Sequence, residues 1–172
     1  NYNTTNKNVN EVYRVLHKIS GVDIWNVSPS PEGPLFKEDI PEITDYYLSE
    51  TGYRSTVVKA GRQQVYTNKI LMGEPDFFEF FSFEIIDGST AKFKEVRNHI
   101  AISENTAKIF FGESSAVGET LQLYGKTYVV TTVYNIIGKH FFMPSIILQY
   151  EKQQENTWGN YNYNLLVKTT KN

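Results

Sequence analysis

The stretch Asp76-Phe77-Phe78-Glu79-Phe80-Phe81-Ser82-Phe83-Glu84-Ile85-Ile86-Asp87-Gly88 is dense in phenylalanine, and Ile100-Ala101-Ile102-Ser103-Glu104-Asn105-Thr106-Ala107-Lys108-Ile109-Phe110-Phe111-Gly112 follows it. Asp76 with Glu79 three residues later looks like a capping arrangement, so a helix of one or two turns is expected to open there. Aromatic side chains almost surround that helix, which predicts burial on most sides. We read the block as core, with a ligand- or lipid-binding patch as the sharper alternative. In the second stretch, Ile100-Ala101-Ile102 reads as a short buried strand. Ser103 is a good N-cap, Ala107 to Phe111 continue a helix, and Gly112 is its left-handed stop.

On the N-terminal side, Glu42 to Met72 has β texture, with hairpin turns at Thr51-Gly52 and Ala60-Gly61-Arg62. Pro34 pre-sets a first helical turn and Pro41 cannot continue one, so a short helix is expected near 34–40. A strand is expected within 12–28, and residues 1–10, rich in Asn and Thr, read as a flexible terminus. On the C-terminal side, Thr120 to Val133 alternates around Tyr124-Gly125-Lys126 and predicts a hairpin. A long loop through Gly138 and residues 149–160 is expected to precede a last strand at Tyr163 to Thr169. These elements favour α+β over a regular βαβ sheet.

The chain's 172 residues suffice for one ordinary domain or two small lobes around a shared core. With 17 basic and 19 acidic residues it carries no broad basic field, so nucleic acid and anionic lipid are not expected partners. The absence of cysteine excludes disulfides, thiolate metal sites and cysteine nucleophiles within it. The longest apolar segment, Phe141 to Leu148, is far short of the roughly 18 residues of a membrane span and contains Pro144. A first residue of Asn1, with no signal peptide, reads as a piece of a longer or processed protein.

Taken in order, these segments resemble the MacB-like periplasmic core domain of FtsX-like ABC transporter permeases. The resemblance rests on the aromatic block at 76–83, Ile-Ala-Ile-Ser-Glu at 100–104, and Phe110-Phe111-Gly112 followed by Val117-Gly118-Glu119-Thr120-Leu121. Lys7 to Val15 and the hairpin Gly125 to Val133 support it. Glu119 stands where the family usually has lysine and Thr132 where it usually has glycine, and 149–162 does not align. The resemblance implies one domain over 1–172: a porter-like mixed α/β lobe with an inserted, mainly β second lobe. The parent protein would lie in the bacterial inner membrane, with one membrane helix before this segment, three after it, and the domain facing the periplasm. Implied partners are a cytoplasmic ABC ATPase and a second permease copy, with a periplasmic adaptor or lipoprotein as a further one. The isolated domain would be monomeric or weakly self-associating, without a cofactor and without catalysis, passing ATP-driven motion to a substrate or partner.

The residues leave two rivals. Trp158, Tyr161 and Tyr163, interleaved with Asn156, Asn160, Asn162 and Asn164, suit a free-standing envelope binding module for sugar or protein. The blander alternative is a mobile loop with Trp158 tucked onto the sheet. An enzyme is the other rival, and no nucleophile, base and orienting group assemble from adjacent features. Ser103 lacks the glycines of a nucleophile elbow, with Ala101 and Asn105 in their places. His17, His99 and His140 have no metal-ligand spacing, Glu38, Asp39 and Glu42 read as a solvated face, and no phosphate-binding glycine loop is present.

Overall fold

The computed structural model describes residues 12–18, 21, 24–137, 141–150 and 157–170. The expectation for 1–10 lies outside them. In chain order the elements begin with β1 (Val12–Arg14), β2 (His17–Lys18), β3 (Ile24–Trp25), α1 (Glu32–Asp39), β4 (Ile43–Glu50), β5 (Arg54–Ala60) and β6 (Gln63–Gly73). There follow α2 (Phe77–Phe80), β7 (Glu84–Gly88), α3 (Thr90–Glu95), β8 (His99–Ser103) and α4 (Glu104–Phe111). The chain then forms β9 (Thr120–Leu123), β10 (Lys126–Asn135), β11 (Ile146–Gln149) and β12 (Tyr163–Thr169). It is a mixed α+β fold in which strands dominate.

Ten strands share one sheet. Strands β1, β12 and β4 form an open wing on β6, while β6, β11, β8, β10, β9 and β5 close into a ring. Closure comes from β5, which pairs back along β6 from Arg54↔Ile70 to Ala60↔Gln63 and meets β9 at Lys59↔Gln122. The β6–β11 and β8–β10 pairs are parallel and the other ring pairs antiparallel. Strand β7 pairs with the end of β10, over Thr132 to Asn135.

Alternation along the strands sorts the core into two faces. Ile70, Ile100, Ile102, Ile146 and Leu148 fill the ring, with Val58, Leu121, Leu123 and Val130 from the remaining strands. The intervening residues Leu71, Ala101 and Ile147 belong to a second cluster with Tyr47, Leu166, Phe77, Phe80, Phe81 and Phe93. Gly73 is required at the end of β6, because a Cβ there would lie 2.0 Å from the Tyr47 hydroxyl oxygen. One end of the ring is sealed by α4. Its Ala107 enters the ring core with Phe110 and Phe111 packed against it, and Gln63 Nε2 donates to the Ile109 carbonyl at 2.6 Å.

Several expectations hold. Ser103 Oγ accepts from the Thr106 N–H at 3.3 Å, and Gly112 ends α4 at φ +63°. The 120–133 hairpin and the last strand lie as expected, and α1 begins slightly earlier, at Glu32. The single strand expected within 12–28 is three short ones. The capping arrangement at Asp76 is not formed: its backbone sits at φ −82°, ψ 18° rather than extended, so its carboxylate makes no cap hydrogen bond. Asp76 and Glu79 instead both pair with Lys94 of α3, Glu79 at 3.1 Å. Strands β7 and β11 and helix α3 were not expected. Thr132, where the family usually has glycine, is fully buried in β10 and donates to the Ser89 carbonyl at 2.9 Å, just ahead of α3.

Phe77→Ala should cost about 3–5 kcal/mol in urea unfolding, because its ring is fully buried among Tyr47, Phe78, Phe81 and Phe83. Tyr66→Ala, at an exposed position of β6, should change stability by less than about 1 kcal/mol. Equal losses for the two would contradict this core. Burial pushes the phenols of Tyr47 and Tyr134 well above their usual range, with Glu74 adding to it at Tyr47 and Tyr53 at Tyr134. The native state therefore keeps protons that the unfolded chain releases near pH ~10. Stability should be intact below that pH and fall above it, by about 1.4 kcal/mol per pH unit for each tyrosine. Unfolding curves across this range should show the decline, and Tyr134→Phe should make it shallower.

Candidate functional site

The two ends of the described chain lie on neighbouring strands. β1 runs antiparallel to β12, with Val12 opposite Lys168 and Arg14 opposite Leu166. Both ends therefore lie at one end of the wing, while Tyr163 begins β12 at the other. Lys168 ties β12 to α2: its Nζ donates to the Glu79 carbonyl at 3.2 Å and lies 4.5 Å from the Phe80 ring centre, a cation–π contact. Lys94 ties α2 onward to α3; its pKa is raised chiefly by its hydrogen bond to Asp76. Arg14 of β1 lies 5.3 Å from the Phe141 ring centre and donates to the Asn26 carbonyl at 3.1 Å and to the Asn164 side chain.

The aromatic–amide segment divides. Trp158 is 52% exposed and Tyr161 39%, whereas Tyr163 is buried with its ring 5.7 Å from that of Tyr150. Tyr161 stands edge-on to Trp25 at 6.2 Å and to His17 at 6.1 Å. Exposed Trp25 thus lies beside Tyr161, and with exposed Ile24 it belongs to a strand hairpin that the sequence reading took as one strand. Asn164 is buried and donates to the Glu50 carbonyl at 3.1 Å, and Asn156 lies outside the described residues. The segment therefore exposes Trp158 and Tyr161 and spends its later residues on packing.

The remaining polar candidates do structural work. His17 Nε2 is 3.0 Å from both Glu32 Oε2 and Ser28 Oγ. A catalytic relay needs the acid and the nucleophile on opposite ring nitrogens, and here both converge on one. His99 Nδ1 lies 2.6 Å from the Lys92 carbonyl, and His140 lies outside the described residues. Glu38, Asp39 and Glu42 are exposed. Ser103 Oγ is 2.9 Å from Thr106 Oγ1, in keeping with its cap role. Among the described residues no group of three or more His, Asp or Glu is placed to hold a metal, and no helix is long and apolar enough to cross a membrane.

The MacB-like periplasmic core domain family matches residues 7–172. Solved structures share the fold at low identity. A domain of a putative permease from Porphyromonas gingivalis superposes with TM-score 0.79 at 18% identity, over 93% of this chain and 75% of that one. The periplasmic region of MacB from Actinobacillus actinomycetemcomitans gives 0.66 at 13%, over 95% and 76%. The extracellular domain of the noncanonical ABC-type transporter YknZ from Gram-positive bacteria gives 0.58 at 14%, over 94% and 83%. No curated protein matches the chain. The match over nearly the whole sequence, with the shared fold behind it, makes this chain a member of the MacB-like periplasmic core domain family of ABC transporter permeases.

Proposed function

We propose that the chain is a non-catalytic mechanical coupler, passing ATP-driven motion of membrane helices to a substrate or partner in the periplasm. The observation that carries this is the pairing of β1 with β12, which brings the two ends of the described chain to one end of the wing. Motion delivered by flanking helices would enter at adjacent strands and reach the aromatic layer through Lys168 and α2. The reading includes an inner-membrane parent, a cytoplasmic ABC ATPase, a second permease copy, and a periplasmic adaptor or lipoprotein. It also includes a monomeric or weakly associating isolated domain over 1–172. Two lobes belong to it as well, one around the ring core and one around the wing, supported by the separate clusters on ring and wing.

The test is Lys168→Ala in the full-length permease reconstituted with its ATPase. Substrate moved per ATP hydrolysed should fall several-fold, while the substituted domain unfolds within about 1–2 kcal/mol of the parent. Undiminished transport with an intact domain would sink this route of coupling.

A second reading, a free-standing envelope binding module, is favoured by the exposure of Trp158 and of Tyr161, the latter beside Trp25. Glycan and peptide titrations of the parent and of Trp158→Ala separate the two. Binding that vanishes in the variant favours the module, and no binding to either favours the coupler.

A further inference from the structure

The ring has a sealed end and an open one. At the open end β6 and β11 finish, β8 and β10 begin, and the β9–β10 turn folds over. A cleft of about 380 Å³ lies there, where Glu50 and Tyr163 reach it from the end of the wing opposite the chain ends. This is the size of a small-molecule site, and barrel mouths are a usual place for one.

Three cationic side chains, Arg54, Arg97 and Lys126, line the cleft against one carboxylate, Glu50, in a chain whose net charge is −2. Glu50 is engaged by Arg54, whose Nε donates to it at 2.6 Å. Arg97 and Lys126 lie on neighbouring segments, since β8 and β10 start side by side with the Val129 N–H donating to the Asn98 carbonyl at 2.9 Å. Guanidinium and ammonium groups along one wall can offer an oxyanion charge-assisted hydrogen bonds. Tyr124, Tyr128, Tyr163 and Met72 are among the lining residues and give the cleft aromatic and apolar character.

A backbone observation points to the same place. Tyr124 has φ +52°, the one non-glycine residue with positive φ among the described residues. It shares the tight β9–β10 turn with Gly125, at φ +72°, where Asn, Asp or Gly is the favoured first residue. A bulky side chain there is strained, and the strain sets a tyrosine at the cleft.

We propose that the open end of the ring binds a small ligand made of one oxyanion, a carboxylate or a phosphate, on an apolar or aromatic body. The site needs only this chain and stands apart from the coupling reading.

The test titrates the 172-residue chain, by calorimetry and amide chemical shifts, with three probes: acetyl-Ala-Ala-Phe with a free carboxylate, its C-terminal amide, and phenyl phosphate. At least one anionic probe should bind and shift the amides of Asn98 and Thr127, and the amide should bind about tenfold more weakly or not at all. Preference for the peptide acid or the phosphate identifies the oxyanion's source. Arg97→Ala, at an exposed position, should weaken binding about tenfold, and added salt should weaken it further. Tyr124→Asn should melt no lower than the parent, because asparagine suits the turn, yet bind more weakly. The proposal is overturned if neither anionic probe binds at millimolar concentration, if binding is equal in Arg97→Ala, or if Tyr124→Asn binds as the parent does.

Discussion

Strands β8 and β11 and the last residues of β6 are buried on both faces at once, and the rest of the molecule is placed by the need to cover them. Inside the ring the strands cover one another. Outside it Leu71, Ala101 and Ile147 need a lid, and the phenylalanines of α2 with Phe93 of α3 supply it. Full burial of such side chains is worth about 1.5–3 kcal/mol each, against about 0–1 for a partly exposed ion pair. The aromatic layer therefore holds α2 in place. Lys94 and Lys168 orient it and connect it to its neighbours.

That layer also spans the narrowest joint in the sheet. The wing meets the ring through β4 and β6 at a single register pair, Ser49↔Gly73. Glu74 reinforces it, its N–H donating to the Leu48 carbonyl at 3.0 Å and its Oε2 accepting from the Leu48 N–H at 3.1 Å. Tyr47 of the wing packs its ring against Phe77, Phe80 and Phe81. With so few ladder bonds at the joint, packing rather than backbone pairing decides how the wing sits on the ring.

Much of this was legible because local signals were strong. Ser103 and Gly112 bracket α4, Gly125 marks the hairpin turn, and β12 reads as a strand from Tyr163 to Thr169. The failures have physical causes. β11 is covered on both faces, so Ile146, Ile147 and Leu148 show no alternation and read only as an apolar run. β7 is exposed along its length and is defined by pairing with β10, a long-range fact. Helix α3 is short, though Ser89 three residues before Lys92 was an available cap signal; its Oγ accepts the Lys92 N–H at 3.4 Å. At Asp76 the cap pattern was overridden by Lys94, which α3 brings within reach. The cleft was invisible for a related reason: Arg54, Arg97 and Lys126 are far apart in sequence, and only ring closure assembles them.

The cleft sits where wing and ring meet, at the end of the wing opposite the chain ends, and it is not lined by the ring alone. Glu50 ends β4 and Tyr163 begins β12, so the wing contributes to a wall whose other side includes Arg54 of β5, the turn before β8 and the start of β10. A ligand touching both sides has an affinity that depends on how wing and ring are set against each other. Any displacement of β1 and β12 from the terminal end would then change that affinity, and by linkage an occupied cleft would resist or favour the displacement by the same free energy. If the domain acts as the proposed coupler, the geometry by which two adjacent strands would carry motion into it is also the geometry by which a bound anion would be sensed.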